Sequence, residues 1–286
     1  MGGSGTHMTK VIFFGTPDYV IPILESLYKN YKLVAVVTQP PKLAGRKQLK
    51  VFSSVDNWAH KRKIPVITDL KEELPEANLG IVASYGKIIP QNIINHFPNG
   101  ILNIHPSLLP KYRGAAPIQN QIIDGIKETG ITIIKMDEKM DHGPIISKLK
   151  DTIESTDTNE TLRNHLFKNS AKFLVELIPN YLNNRIKLKP QDHESATFTK
   201  IIKKDDGYVD LKSTPPAEIE RKFRALKPWP GIWTKVDDLP AQTGKRLKIL
   251  ELHLEDNKLV LDKVQLEGKK QVSFEEFKRG YPQMKI

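Results

Sequence analysis

Asn103 and His105 stand two residues apart in the run Ile101-Leu102-Asn103-Ile104-His105, which Pro106 closes. Residues two apart on a strand share a face, so an amide and an imidazole are presented together while Leu102 and Ile104 pack on the other side. Pro106 cannot continue a ladder and biases His105 toward extended geometry. Both polar groups therefore sit at the C-terminal end of a strand, the edge where open α/β sheets bind ligands. Asp141 lies in the turn Asp141-His142-Gly143-Pro144 beyond a second strand-like run, Ile131–Met136, and loops beyond neighbouring strand ends converge over that edge. An Asn, His and Asp set without a nucleophilic Ser or Cys suits proton movement and oxyanion stabilisation, one substrate being the nucleophile. Taken singly, each residue has a plainer reading: a turn cap for Asn103, a satisfied core histidine for His105, a turn aspartate for Asp141.

The composition narrows the chemistry further. The 286 residues carry 44 Lys and Arg against 33 Asp and Glu, a net charge of +11, and no cysteine. Without cysteine there is no disulfide, thiol nucleophile or thiolate metal site, and no apolar run approaches the ~18 residues of a membrane span. The phosphate-loop, zinc-protease and serine-nucleophile signatures are missing. Gly15-Thr16-Pro17-Asp18 follows a strand but offers one glycine where a dinucleotide fingerprint needs three, so it reads as a βα turn without a nucleotide. A soluble enzyme without a metal is the expectation.

The elements that must position these groups follow from hydrophobic periodicity. Val11–Phe14, Leu33–Val37, Leu79–Ser84 and Ile101–His105 read as buried strands, with helices at Ile21–Leu27, Ser53–His60 and Pro117–Asp124 between or after them, which predicts a mainly parallel sheet. Gly130–Met136 adds a strand and Thr161–Leu182 a long amphipathic helix. After the polar stretch Pro190–Asp206 the pattern changes: a helix at Pro216–Leu226, two β-rich runs at Lys245–Leu254 and Lys258–Leu266 around Glu255-Asp256-Asn257, and a capping box from Ser273 to Glu276. The expected organisation is a cloning remnant at 1–7, a catalytic domain at 8–188, a linker at 189–203 and a mostly β domain at 204–286. No secretory leader follows Met8, so the cytoplasm is expected.

At this point the motifs resemble those of the tetrahydrofolate-dependent formyltransferases. Asn103-x-His105, Ser107-Leu108-Leu109-Pro110 and Asp141-x-Gly143 carry the likeness, joined by Phe14-Gly15-Thr16-Pro17-Asp18, Ser84-Tyr85-Gly86, Arg113-Gly114-Ala115-Ala116-Pro117 and Pro228-Trp229-Pro230-Gly231. The resemblance implies a Rossmann-like α/β formyltransferase domain followed by a small OB-like β-barrel that helps hold tRNA. It implies transfer of the formyl group of 10-formyltetrahydrofolate to the amino group of methionyl initiator tRNA, by a monomer serving translation initiation. Asn103, His105 and Asp141 match the family's catalytic trio. Ser107, Leu108, Leu109 and Pro110 match its folate-contacting segment, and Ile88 falls in a stretch resembling a wall of the pterin pocket. Arg46 matches the arginine of an inserted loop that reads the acceptor end of the tRNA, with Lys42 and Lys47 beside it. Tyr112 stands where the family usually has Trp, and Asp141-His142-Gly143-Pro144 replaces Asp-Thr-Gly-Asp. The Gly-Pro ending is closer to formyltransferases acting on small amines, so a nucleotide-linked amino sugar is the alternative acceptor.

Charge speaks to the same question independently. Lys42, Arg46, Lys47, Lys50, Lys61, Arg62 and Lys63 share a stretch whose one acid is Asp56, enough to engage several phosphates; the plain alternative is a solvated basic face. A planar guanidinium gives directed contacts that an ammonium does not. Arg46→Ala is therefore expected to lower efficiency on initiator tRNA more than Lys42→Ala or Lys47→Ala, whereas each lysine change reduces the salt slope by about one. Efficiency measured at two salt concentrations, beside a minimal methionyl ester that never reaches the loop, tests this; equal losses on the ester would assign the loop to the fold.

Overall fold

The computed structural model describes residues 8–45, 48–236 and 244–282, so Arg46, Lys47 and the remnant at 1–7 lie outside the described residues. The chain forms two compact units. One draws on Met1–Ala115, Glu128–Thr152 and Arg163–Thr199, the other on Ala116–Lys127, Ile153–Leu162 and Lys200–Ile286.

The first unit is built on β1 (Lys10–Gly15), whose residues Val11 to Phe14 are fully buried. A continuous apolar run of that kind suits a strand covered on both faces. α1 (Ile21–Asn30) follows with Pro22 in its first turn, where a missing N–H costs little. β2 (Lys32–Val37) leads to a short antiparallel hairpin, β3 (Lys42–Ala44) and β4 (Leu49–Val51), then to α2 (Ser54–His60). Ser53 caps α2 by accepting from the Asp56 N–H at 3.0 Å. β5 (Val66–Ile67), β6 (Leu79–Ala83), α3 (Gln91–Ile94), β7 (Ile101–His105), β8 (Arg113–Gly114), α4 (Pro117–Asp124), β9 (Glu128–Lys135) and β10 (Ile145–Thr152) come next.

Seven strands form one sheet in the order β10-β9-β7-β6-β1-β2-β5. The pairs from β7 to β5 are parallel, while β9 runs antiparallel to both β7 and β10. The strand carrying Asn103 and His105 thus sits at the junction of the parallel and antiparallel parts. Beneath it, Phe14 meets Tyr85 and Phe97 edge to face with centroids 5.9 and 6.0 Å apart, inside a cluster that includes Val82 and Ile101.

α5 (Asn159–Leu182) is the long helix expected from periodicity, two residues longer at its start and containing Pro179. Beyond it, β11 (Phe198–Thr199) pairs in parallel with β8, Phe198 opposite Arg113 and Thr199 opposite Gly114. Lys189 and Ile145 exchange both backbone hydrogen bonds, at 2.8 and 2.9 Å. Residues 189–199, polar in sequence, are therefore laced into the first unit.

In the second unit α6 (Pro216–Leu226) binds the two excursions from earlier in the chain: Arg221 Nε donates to the Ile123 carbonyl at 2.9 Å and Arg224 Nη1 to the Asp157 carbonyl at 2.6 Å. Its sheet is antiparallel, β12 (Ile232–Val236), β13 (Lys245–Glu255), β14 (Lys258–Leu266) and β15 (Gln271–Ser273) in sequence order, and α7 (Phe274–Gly280) starts at the Ser273 cap. Val236, Leu247, Val264, Leu266 and Phe277 form the core. No described helix is long and apolar enough to cross a membrane.

Candidate active site

β7 brings its two polar residues to the sheet edge as the alternation predicts, with Leu102 and Ile104 buried at the alternate positions. Asp141 meets them from the loop between β9 and β10. Its Oδ1 accepts from Asn103 Nδ2 at 3.0 Å, and its Oδ2 accepts from the Gly114 backbone N–H at 2.8 Å. His105 Nδ1 lies 3.6 Å from the same Oδ1, beyond hydrogen-bond reach but within ion-pair distance. Only 5% of the His105 side chain and 10% of the Asp141 side chain reach solvent.

The imidazole is fixed more directly by Tyr112, whose carbonyl lies 2.9 Å from His105 Nε2. A carbonyl can only accept, so Nε2 carries the hydrogen and Nδ1 is the position facing the carboxylate. The carboxylate likewise only accepts, which assigns Nδ2 of Asn103 to the Asp141 side. One amide hydrogen is held there and the second is left for another acceptor. Asp141 (φ 50°) and Tyr112 (φ 60°) both adopt left-handed backbone, a conformation that costs an L side chain energy and is held by surrounding structure.

That surrounding structure is polar, with Arg113 and Gln191 buried and His142 and His193 nearer the surface. Gln191 Nε2 donates to the Asp141 carbonyl at 2.9 Å and the Gly143 carbonyl at 2.7 Å, while its Oε1 accepts from Arg113 Nη2 at 2.7 Å. The same Nη2 meets His193 Nδ1 at 2.9 Å, and the His193 ring stacks on His142 with centroids 4.0 Å apart and planes 2° from parallel. Burial draws the Arg113 guanidinium below its ordinary value, against the pull of the Asp141 and Asp137 carboxylates. Burial, His142 and Arg113 hold the His193 imidazole below its usual range, in keeping with its role as acceptor. Tyr112, Arg113 and Gly114 enter the sequence reading as part of a family motif without a role, and Gln191 and His193 do not enter it at all; Tyr112 and Gly114 contribute through the backbone.

The segment read as folate-contacting follows β7. Thr132 on β9 splints it, donating to the Ser107 carbonyl at 2.6 Å and accepting from the Leu109 N–H at 3.0 Å. Lys148 Nζ donates to the Leu109 carbonyl at 2.5 Å, and burial lowers its ammonium below the usual range. The Ser107 and Leu109 side chains are fully buried, whereas Leu108 and Pro110 are partly exposed. Ile88 is 82% exposed and lies on a cleft of about 750 Å³. Leu70, Leu74 and Ile93 supply apolar wall, and Lys71 and Lys87 stand there with the acidic Asp69, Glu72 and Glu73; the buried Tyr85 hydroxyl has no hydrogen-bond partner among the described residues. Asn103, His105 and Asp141 do not line this cleft. Its wall starts just beyond β6, however, where Val82 pairs with Asn103, so both features stand along one sheet edge.

Of the basic residues, Lys42 is exposed on β3, across from Val51. Arg62 is committed elsewhere: its guanidinium lies 4.1 Å over the Trp58 ring and 3.0 Å from Glu25.

Known proteins resemble the chain along most of its length. The family model described as "Formyl transferase" matches residues 9–178, and "Formyl transferase, C-terminal domain" matches residues 201–259. A protein of Listeria monocytogenes named methionyl-tRNA formyltransferase is 37% identical over 260 residues, 88% of this chain and 81% of its own. Among solved structures, a methionyl-tRNA formyltransferase from Clostridium thermocellum superposes with a TM-score of 0.60 at 20% identity, covering 91% of this chain and 99% of that one. A 4-N formyltransferase from Francisella tularensis gives 0.68 at 20%, covering 87% and 99%. At those identities the two structures speak to the fold.

The loop geometry makes a prediction of its own. A Cβ on Gly143 would fall into the Lys135 carbonyl oxygen, so Gly143→Ala forces the Asp141 loop to move. It is expected to cost about 1–3 kcal/mol in urea unfolding, the range for overpacking; parental stability would show that the loop has slack.

Proposed function

The chain belongs to the formyl transferase family, and from that premise we propose that it transfers the formyl group of 10-formyltetrahydrofolate to the α-amino group of methionyl initiator tRNA, acting as a cytoplasmic monomer in translation initiation. The observation that carries the chemistry is the Asp141 carboxylate bound to Asn103 Nδ2 with His105 Nδ1 facing it at 3.6 Å. A methionyl-tRNA is preferred over a nucleotide-linked amino sugar because relatives at 37% identity over 88% of the chain are named methionyl-tRNA formyltransferase. The basic stretch around Lys42 supports the same choice.

Formyl transfer requires a neutral amine at the formyl carbon, a group to carry the charge that develops on the formyl oxygen, and a path for the proton from the amine to the leaving N10. Asn103 supplies a donor: with one amide hydrogen fixed on Asp141, the other is pre-oriented for the developing oxyanion. His105 manages the proton at Nδ1, the ring position facing Asp141, while the Tyr112 carbonyl keeps Nε2 protonated and the ring from turning. Asp141 couples the two, since one oxygen serves Asn103 and faces His105. An aminoacyl ester's amine is less basic than a lysine's, so modest proton management suffices.

Folate fits the residues present. The cleft beside Ile88 has the size of a cofactor site, about 300–1,000 Å³, mixes apolar wall with side chains of both charges, Lys71 and Lys87 beside Asp69, Glu72 and Glu73, and contains an orphaned hydroxyl on Tyr85. Ile88 and the exposed parts of Leu108 and Pro110 would contact the ring system, with Ser107 and Leu109 shaping the backbone from within. When bound, the folate supplies the activated formyl group.

The experiment is formyl transfer from 10-formyltetrahydrofolate to charged initiator tRNA, run beside charged elongator tRNA and free amino sugars. Preference for the initiator is expected, and preference for the sugar would overturn the substrate assignment. Asn103→Ala and His105→Ala should each lower kcat by about 10²–10³, the scale of losing an oxyanion donor or proton manager, with folate affinity retained in a direct titration. Full turnover in either variant would remove that residue from the mechanism.

A further inference from the structure

We propose that Gln191 is a positioning residue for this reaction, holding the backbone of the 141–143 loop and, through it, the Asp141 carboxylate in line with Asn103. The inference rests on the formyl-transfer reading of Asn103, His105 and Asp141. Gln191 is 6% exposed, and each end of its amide is engaged. Its two N–H groups enter two carbonyls of one loop, those of Asp141 and Gly143, on either side of His142. Bridging two acceptors while accepting from a third group needs a side chain with two donors and an acceptor and no charge. A glutamate would keep the Arg113 contact and set a carboxylate against both carbonyls.

The clamp acts where the loop needs holding. Asp141 is in left-handed backbone at φ 50°, a conformation that surrounding contacts must maintain. Its carboxylate binds Asn103 and Gly114, but those contacts are made by the side chain; the Gln191 bond is made by the Asp141 carbonyl itself. Arg113 joins the clamp to the rest of the site. Its guanidinium holds Gln191 while its two neighbours act through the backbone, Tyr112 O on His105 and Gly114 N on Asp141. The chain carrying Gln191 is pinned to the same place: the Arg113 N–H donates to the Thr197 carbonyl at 2.8 Å, the Tyr112 N–H to Thr197 Oγ1 at 2.8 Å, and β11 pairs with β8. A displacement of about 1 Å at reacting groups costs on the order of 10²-fold in rate, so the clamp has leverage on turnover and little on substrate binding.

The test is a double-mutant cycle. Gln191→Met fills the slot without donors, and Gln191→Glu keeps the acceptor while losing the donors. Each is made in the parent and in the Asp141→Asn background and checked for folding by circular dichroism. In the parent, both should lower kcat about 10- to 100-fold with KM for folate and for charged tRNA changed no more than about threefold. In the Asp141→Asn background neither should lower it further, because the group they position is already lost. Undiminished kcat in both Gln191 variants, or a loss that multiplies fully with that of Asp141→Asn, would overturn the positioning role while leaving the trio intact. Parental activity in Asp141→Asn alone would overturn the trio and the clamp together. Should Gln191→Met fail to fold, Gln191→Glu carries the same comparison.

Discussion

A carboxylate with a tenth of its side-chain surface in water must find donors, and the arrangement of this site follows from how Asp141 finds them. Asn103 fills one oxygen and the Gly114 N–H the other, both as charge-assisted bonds. The first bond turns an amide into a directed donor, and the second ties the loop to β8. His105 faces the oxygen that Asn103 already uses, so the two groups proposed to meet substrate share one negative charge. Removing the carboxylate would orphan two partly buried donors and leave the imidazole facing no charge at the same time.

The sheet exists in a form that permits this. β7 lies between parallel β6 and antiparallel β9, so the loop after β9 leaves beside the start of β7, with Lys135 opposite Leu102, and comes back along the strand to place Asp141 on Asn103. Thr132, buried on β9, then spaces the Ser107–Leu109 backbone by bonding at both ends. Residues 189–199 close the site from the side: Gln191 donates to two carbonyls of the loop that carries Asp141, and Thr197 accepts from the N–H groups of Tyr112 and Arg113.

Much of this was legible in the sequence, for identifiable reasons. Alternation along Ile101–His105 and the stop at Pro106 were enough to put Asn103 and His105 on one face at a strand end, because a strand's period is two and does not depend on distant contacts. Asp141 does meet Asn103, but not by the convergence of loops beyond parallel strand ends: β9 is antiparallel to β7, so its loop starts at the other end of that strand and returns to it. The Gln191 clamp was not legible, since its partners lie about 50 and 78 residues away in sequence and its segment has the composition of a linker. Nor was the hold on His105, which comes from a backbone carbonyl of Tyr112 that any residue would supply. Element ends moved by one to three residues, as with α5 and α1, while the short pair β8 and β11 left no periodic trace because two residues are too few to have one.

The central claim is that one carboxylate organises both groups that meet the substrate, and the most direct measurement of it is the single-turnover rate of formyl transfer in Asp141→Asn with folate and charged initiator tRNA both saturating. Under those conditions binding and product release no longer contribute. A rate at least about 10²-fold below the parent, with folate affinity kept, is the predicted result, since an amide in that place cannot accept from both Asn103 and Gly114 without presenting a donor to one of them. A single-turnover rate equal to the parent's would contradict the account.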